Sequence, residues 1–169
     1  MTGVSEKKEA PVAFYGGNKM SIEKLPSGLR VGVQLVRQGK VKYSVSIINP
    51  GEVAKMLAHL GKQDREHFVC VHLDTRNNVL GVETVSIGSL NYSIVHPREC
   101  FKAAVLLNAA SMILVHNHPS GALEPSDEDL SLTKRMVQAG KLLGIEVLDH
   151  VIISGEGYFS FKEKNRMSV

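Results

Sequence analysis

A strand, a loop and a helix follow one another in the second half of the chain, and this unit constrains the fold more than any other part. Ser111–Val115 is a short apolar run typical of a buried strand. Residues 116–125 form a polar loop that contains two prolines. A helix is expected from Ser126 to about Leu143, where Gly144 can serve as its C-cap. A strand that is followed, after one loop, by a helix predicts an α/β architecture.

The remaining segments of regular pattern are β-rich runs and short amphipathic helices. Residues 67–73 and 79–85 flank a cluster of turn-forming residues, which predicts a pair of antiparallel strands. Two further strands are expected at residues 145–153 and 158–161, and two helices are expected to begin at Pro50 and Pro97. The predicted fold is α/β, with a mixed, largely antiparallel sheet flanked by helices.

The first 50 residues differ in pattern from the rest. Residues 1–20 are polar and without period, so we predict a flexible leader. Two β-rich runs, at residues 29–36 and 41–48, surround a glycine-containing turn. We therefore predict a leader at residues 1–20, an N-terminal β-hairpin extension at 21–50 and one main domain at 51–169.

Composition limits the classes of function. A chain with 43% hydrophobic and 22% charged residues is typical of a soluble globular protein. The net charge is only +3 and the basic residues are scattered, so no nucleic-acid footprint is evident. No segment has the pattern of a signal peptide or a membrane span. Cys70 and Cys100 lie in apolar runs, which predicts buried reduced thiols and a cytoplasmic location.

The loop between the central strand and the long helix carries a candidate metal site. His116 and His118 lie two residues apart at the end of the strand, so both side chains can point to the same face. Asp129 lies in the first turn of the following helix. Two imidazoles, one carboxylate and a vacant fourth position are the ligand set of a catalytic zinc, which lowers the pKa of bound water to about 7.

Hydrolysis also needs a base and a donor to the oxyanion. Glu66, just before a predicted strand, is the first candidate for the base, and Glu83 on the neighbouring strand is the second. The hydroxyl of Ser126 could stabilise a tetrahedral intermediate. The alternative is structural, because Ser126 three residues before Asp129 also resembles a helix capping box.

Other polar residues have competing interpretations. The pair Asp149-His150 interrupts an apolar strand, so it is either a satisfied core pair or a support for the metal site. Arg98 could belong to an ordinary helix start or could bind a substrate carboxylate or phosphate. Structural or solvent roles are expected for the remaining histidines, His59, His67, His72 and His96.

The spacing His116-x-His118-x₇-Ser126-x₂-Asp129 resembles the JAMM motif of the MPN+ (JAB) metalloprotease superfamily. The sequence of residues 116–121, His-Asn-His-Pro-Ser-Gly, is similar to that of RadC-like proteins. The resemblance extends from about Glu66 to Phe161. It includes Glu66-His67-Phe68, His96-Pro97-Arg98-Glu99, Asn108-Ala109-Ala110 and Leu148-Asp149-His150.

This resemblance implies a JAB/MPN-like fold, with cytidine-deaminase-like architecture, over residues 51–169. It also implies a zinc isopeptidase or peptidase. In that family pattern Glu66 is the general base, His116, His118 and Asp129 hold zinc, and Ser126 lies near the oxyanion. The expected substrate is a protein or peptide, and an oligomer is compatible with the pattern.

The resemblance also brings a DNA-repair label, and it leaves two alternative functions. The first is a metal-dependent nuclease or other DNA-processing protein; the second is a non-catalytic metal-binding interaction module. RadC-like proteins usually carry a helix-hairpin-helix region at the N-terminus, whereas a β-hairpin is predicted here. We therefore expect an association with DNA repair without clear direct DNA binding, and no membrane partner.

Overall fold

The computed structural model describes residues 13–15, 18–20, 45–88 and 95–167. The chain divides into two compact units, Met1–Gln34 and Leu35–Val169. In the first unit, strand β1 (Ala13–Tyr15) pairs antiparallel with strand β2 (Asn18–Met20). Both strands lie within the segment predicted as a leader at residues 1–20, and that division of the chain stays a prediction.

Most of the hairpin predicted at residues 21–50 lies outside the described residues. Of its second run only residues 45–48 are described, and they form an isolated antiparallel bridge from Ser46 to Asn78. The backbone N–H of Val79 also donates to the carbonyl of Val45 at 3.0 Å. This segment therefore lies beside the turn that follows the first strand of the main sheet.

Within residues 45–88 and 95–167, five strands form the main sheet of the second unit. They are β3 (His67–Leu73), β4 (Val79–Ile87), β5 (Ser111–Asn117), β6 (Glu146–Ser154) and β7 (Gly157–Ser160), in the order β4-β3-β5-β6-β7. Among the described strands of this sheet, β5 and β6 form the only parallel pair. The predicted mixed, largely antiparallel sheet is confirmed.

Three α-helices in the described segments flank this sheet, as predicted. Helix α1 (Pro50–Met56) begins at the predicted Pro50 and is followed by a 3₁₀ helix at Ala58–Lys62. Helix α2 (Pro97–Leu106) begins at the predicted Pro97, and α3 (Asp127–Leu143) lies close to its predicted bounds. Within the described ranges, no helix combines the length and apolar character that crossing a bilayer requires.

The two faces of the sheet carry separate hydrophobic clusters, because alternate residues of each strand point to opposite faces. Phe68, Cys70 and Leu114 face α2 and α3 and pack with residues such as Phe101 and Met136. The intervening strand residues pack with α1 and the 3₁₀ helix: Val69, Val71, Ile113 and Val115 against Val53, Leu57 and Leu60. His116 follows the parity of Leu114, so its side chain lies on the face covered by α3.

Candidate metal centre

The structure brings together the three residues that the sequence predicted as metal ligands. His116 Nε2 lies 3.2 Å from Asp129 Oδ1, and His118 Nε2 lies 3.4 Å from Asp129 Oδ2. The two Nε2 atoms are 3.0 Å apart. The side chain of His116 is fully buried, while those of His118 and Asp129 are 16% and 12% exposed. Solvent therefore reaches the cluster at His118 and Asp129 and not at His116.

The loop after β5 orients the ring of His118. His118 Nδ1 lies 2.9 Å from the carbonyl oxygen of Ala122. A carbonyl can only accept a hydrogen bond, so Nδ1 carries a proton, and Nε2, which points into the cluster, has a free lone pair whenever the ring is neutral. The turn is closed by Gly121, whose N–H donates to the carbonyl of His118 at 3.0 Å and whose φ is +82°. A positive φ of this kind favours glycine.

The start of α3 orients the carboxylate of Asp129. Ser126 donates to Asp129 Oδ2 twice, from its backbone N–H at 2.8 Å and from its hydroxyl at 2.7 Å. In return, the backbone N–H of Asp129 donates to Ser126 Oγ at 3.1 Å. This capping box leaves Oδ1 facing His116. Burial opposes ionisation, but the neighbouring imidazoles of His116 and His118 hold the pKa of the Asp129 carboxyl below its usual range.

The capping alternative for Ser126 is therefore present in the structure. Its hydroxyl proton is directed to the carboxylate of Asp129 rather than to the open side of the cluster. A role at the oxyanion requires the hydroxyl to rotate, and it stays a prediction.

The donor set fits a divalent metal with an open coordination position. Three groups point nitrogen or oxygen lone pairs at one another, and their ligand atoms all lie within 4.8 Å. Without a shared cation, such lone pairs repel. Zn–N bonds of about 2.0–2.1 Å in a tetrahedral site place two nitrogen ligands roughly 3.3 Å apart, close to the separation of the two histidines. His116, His118 and Asp129 are thus the residues that could hold an ion.

Of the two candidate bases, Glu66 is the one whose position in the fold is next to this cluster. Glu66 directly precedes β3, and Phe68, two residues later, is the register partner of the candidate ligand His116. Glu66 is half-buried. The hydrogen bond to Asp129 is the main cause of a raised pKa at His118, and the charge of Glu66 adds to it. This electrostatic contact supports the same placement.

Glu83, the second candidate for the base, belongs to a different part of the sheet. It lies opposite Cys70 in the ladder, and its Oε2 is 3.7 Å from Nε2 of His72. His72 lies four residues beyond Phe68, on the strand end away from the metal ligands. Geometry therefore favours Glu66 as the group that could act on a molecule bound at the cluster.

Asn117, which the sequence analysis did not single out, holds the segment that carries Glu66. Its side chain is buried at the end of β5. Asn117 Oδ1 accepts from the N–H of His67 at 2.8 Å, and Nδ2 donates to the carbonyl of Arg65 at 3.0 Å. The two bonds bracket Glu66. A buried amide at the end of an apolar strand is the signal that could have found it.

The pair Asp149-His150 resolves into two different roles. Asp149 is a satisfied core group that accepts from the hydroxyl of Ser160 at 2.6 Å and from the N–H of Lys162 at 2.9 Å. His150 Nε2, in contrast, lies 2.8 Å from His116 Nδ1. His150 Nδ1 lies 2.7 Å from the hydroxyl of Thr133 on α3. The support interpretation therefore holds for His150, and sequence analysis missed Thr133.

Aromatic rings enclose this buried pair of histidines. Phe68 stacks on His116 with ring centroids 6.1 Å apart, and Phe161 stacks on His150 at 4.6 Å. Burial lowers the pKa of His150, which keeps its ring neutral. The apolar walls exclude water from the ring nitrogens that face the interior.

The remaining polar candidates have structural positions. His96 caps α2 by accepting from the N–H of Arg98 at 3.2 Å, and the exposed Arg98 side chain pairs with Glu99. His67 lies with Nδ1 3.0 Å from the carbonyl of Arg65. The structure places Arg98 at the start of α2, as the structural interpretation predicted, and both cysteines are buried and free.

Comparison with known proteins agrees with this geometry. Residues 47–166 match the RadC-like JAB domain. The chain is 44% identical over 160 residues to a UPF0758 protein of Bacillus cereus, with 94% of this chain and 71% of that protein covered. It is 46% identical over 152 residues to a UPF0758 protein of Desulfitobacterium hafniense, covering 89% of this chain and 66% of the relative.

A UPF0758 protein of Rubrobacter xylanophilus is 54% identical over 118 residues, which cover 69% of this chain and 52% of the relative. The chain thus spans between about half and seven-tenths of the length of these relatives. The match and the His-His-Asp group fit a JAMM-like metal-dependent hydrolase. By the extent of the family match and the identity to these relatives, the chain belongs to the RadC-like JAB domain family.

Proposed function

We propose that this chain is a zinc-dependent hydrolase that cleaves peptide or isopeptide bonds. The observation that carries the proposal is the convergence of His116 Nε2, His118 Nε2 and an Asp129 oxygen at one partly open position. A zinc ion held by two imidazoles and one carboxylate supplies, at neutral pH, a water whose pKa is lowered to about 7. Two nitrogen ligands favour zinc over the oxygen-seeking magnesium and calcium ions.

The protein's own groups have distinct tasks in this proposal. Glu66, next to His118, accepts a proton from the attacking water and returns it to the leaving nitrogen. Asn117 keeps the backbone on either side of Glu66 in place through its two hydrogen bonds. Ser126 fixes the carboxylate of Asp129 and, after rotation of its hydroxyl, can donate to the oxyanion.

The proposal extends to the setting in which the enzyme works. Protein or peptide substrates, an association with DNA repair and a cytoplasmic location are parts of it. The two buried free thiols, Cys70 and Cys100, support the location because they suit a reducing compartment.

Metal analysis combined with two matched glutamate variants tests the proposal. We expect about one zinc per chain in the purified protein, and loss of the metal in His118→Ala. Glu66→Gln should keep the metal and lower the rate of hydrolysis of a peptide and isopeptide library by roughly 10²- to 10⁴-fold. Glu83→Gln, a change of the same chemistry away from the cluster, should keep both metal and activity.

Three results would overturn the proposal. A wild-type protein without bound metal removes its premise. Unchanged activity in Glu66→Gln removes the assigned base. Metal-dependent nicking of DNA that Asp129→Ala abolishes, with no cleavage of peptides, would assign the site to phosphodiester hydrolysis instead.

A further inference from the structure

A buried chain of polar contacts connects two of the candidate metal ligands through the interior of the protein. It begins at the backbone carbonyl of Asp129, 2.6 Å from the hydroxyl of Thr133 one helical turn later. It passes from Thr133 to His150 Nδ1 at 2.7 Å, and from His150 Nε2 to His116 Nδ1 at 2.8 Å. His116 Nε2 then faces Asp129 Oδ1 at 3.2 Å. Together these contacts form a ring that is closed except between His116 Nε2 and Asp129 Oδ1, where a metal ion would bind.

The backbone carbonyl of Asp129, at one end of this series of hydrogen bonds, determines which atom is the donor in each of them. The oxygen of Asp129 can only accept, so the hydroxyl of Thr133 donates to it. Having given its one proton, Thr133 Oγ1 must accept from the N–H at His150 Nδ1. A neutral His150 then has its lone pair on Nε2, which accepts from the N–H at His116 Nδ1. The remaining nitrogen of His116, Nε2, presents its lone pair to the cluster.

The reverse arrangement leaves two acceptors facing each other. If His116 Nδ1 were the acceptor, the N–H of His150 would lie on Nε2 and Thr133 would have to donate to His150 Nδ1. The oxygens of Thr133 and Asp129, only 2.6 Å apart, would then have no proton between them. That separation is typical of a strong O–H···O bond, so the first arrangement is favoured.

We propose that Thr133 and His150 are positioning residues that select the His116 tautomer able to bind a metal through Nε2. The inference deepens the proposed function, since it concerns the affinity of that same site for its metal. Thr133 and His150 are 1% and 0% exposed, so water cannot replace either partner without opening the core. The backbone carbonyl that accepts from Thr133 belongs to Asp129, itself a candidate ligand. The positions of Asp129 and of the residues that orient His116 are therefore coupled.

Three variants test the assignment through zinc affinity. Thr133→Val keeps the shape of the side chain but removes the hydroxyl, and it should weaken zinc binding about 10- to 100-fold. Thr133→Ser keeps the hydroxyl and should bind zinc close to the wild-type affinity. Ser160→Ala is the matched control. It also removes a buried hydrogen bond from a hydroxyl, the one to Asp149 at 2.6 Å, but that bond is not part of the series that leads to His116. Affinity is measured by competition with a chromophoric zinc chelator.

A spectroscopic measurement separates this inference from the identity of the metal. Nitrogen-15 NMR of imidazole-labelled, metal-free protein at mildly alkaline pH reports which ring nitrogen carries the proton. We expect His116 to be protonated at Nδ1 in the wild type and in Thr133→Ser, and to be a mixture of tautomers in Thr133→Val. This result can be obtained even if the wild type binds no zinc, in which case only the proposed function fails.

The inference is wrong if wild-type His116 carries its proton on Nε2. It is also wrong if Thr133→Val binds zinc as tightly as the wild type, or if Thr133→Ser loses as much affinity as Thr133→Val. An equal loss of affinity in Ser160→Ala would assign the effect to general destabilisation of the core and would overturn the inference as well.

Discussion

His72 and His150 are both fully buried histidines on the same face of the sheet, yet only His150 has hydrogen-bond partners. Among the described residues neither ring nitrogen of His72 makes a hydrogen bond, and Glu83, at 3.7 Å, is too distant for one. Burial lowers the pKa of His72 to about 4. At the scale of single residues, burial of His72 without hydrogen-bond partners therefore lowers the stability of the folded protein, whereas the hydrogen bonds of His150 stabilise it.

Replacing His72 by leucine should make the stability of the protein less sensitive to acid. The folded state keeps His72 neutral down to about pH 4, whereas the unfolded chain binds a proton below about pH 6.5. The unfolded state thus holds more protons between these values, so the free energy of unfolding falls as pH is lowered through this range. His72 contributes at most about 3 kcal/mol to that fall.

Urea unfolding between pH 4 and pH 7 checks this prediction. His72→Leu should match or exceed the wild-type free energy of unfolding at neutral pH, because an apolar side chain leaves no buried nitrogen without a partner. Its free energy should decline less steeply with acid. An identical slope in the two proteins would contradict the assigned role of His72.

Asn117 should affect catalysis without affecting the metal. Asn117→Ala removes both hydrogen bonds that bracket Glu66 and leaves the N–H of His67 without its partner, while the carbonyl of Arg65 keeps its contact with His67 Nδ1. We expect a loss of about 1–3 kcal/mol in the free energy of unfolding and a lower rate of hydrolysis. Bound metal, measured by elemental analysis, should stay at the wild-type level. Loss of the metal together with activity would contradict the assignment.

The sequence was sufficient to find the candidate ligands and to offer His150 as one possible support, but it did not single out Thr133. His116, His118 and Asp129 lie within one strand-loop-helix unit, so local spacing already places them near one another. Thr133 and His150 are joined only after β6 pairs with β5 and α3 packs over both, and no local pattern marks a threonine in a helix as a hydrogen-bond partner. The support for His116 comes from a residue 34 positions away.

At the scale of elements, α3 ends with two glycines that serve different purposes. A Cβ atom at Gly140 would lie 2.4 Å from the backbone oxygen of Ile145, so the helix must approach β6 closely there. A Cβ at Gly144 would meet nothing within 4 Å, but φ is +68°. One position is limited by space and the other by backbone conformation.

Alanine and asparagine substitutions separate these two causes. Gly140→Ala should lower the free energy of unfolding by about 1–3 kcal/mol through overpacking, and Gly140→Asn by at least as much. Gly144→Ala should cost roughly 1 kcal/mol because of the left-handed conformation, and Gly144→Asn less, since asparagine tolerates that region. Thermal unfolding gives the values. If asparagine were equally costly at both positions, the distinction would be wrong.

Local sequence patterns predict some ends of helices and strands but not others. The caps of α3 were predictable because Ser126 and Gly144 act on their own helix. The end of β5 was not, because His116 and Asn117 look like loop residues until their pairing with Phe68, Ile152 and Ile153 is known. Hydrophobic periodicity therefore predicted the strands themselves, and tertiary pairing decided how far β5 extends.

At the scale of the whole molecule, we expect the fold of the second unit to be independent of the metal. The two clusters on the faces of the sheet contain apolar side chains from α1, α2, α3 and strands β3 to β6. We predict that a chelator leaves the circular dichroism spectrum and cooperative unfolding in place. The melting temperature should fall by about 5–10 °C relative to protein with free zinc at roughly 100 times its dissociation constant. Loss of the cooperative transition on chelation would contradict this prediction.

The parallel pairing of β5 with β6 has a consequence for the order of events during folding. Antiparallel neighbours can pair through a short turn, but two parallel strands must wait for the segment that crosses between them, here α3. His116 and His118 can thus take their places beside β3 early, while their rings still rotate freely. The ring of His116 is fixed only when β6 arrives with His150, because contacts distant in sequence form late. A metal ion that binds tightly therefore reports that the central sheet has finished assembling.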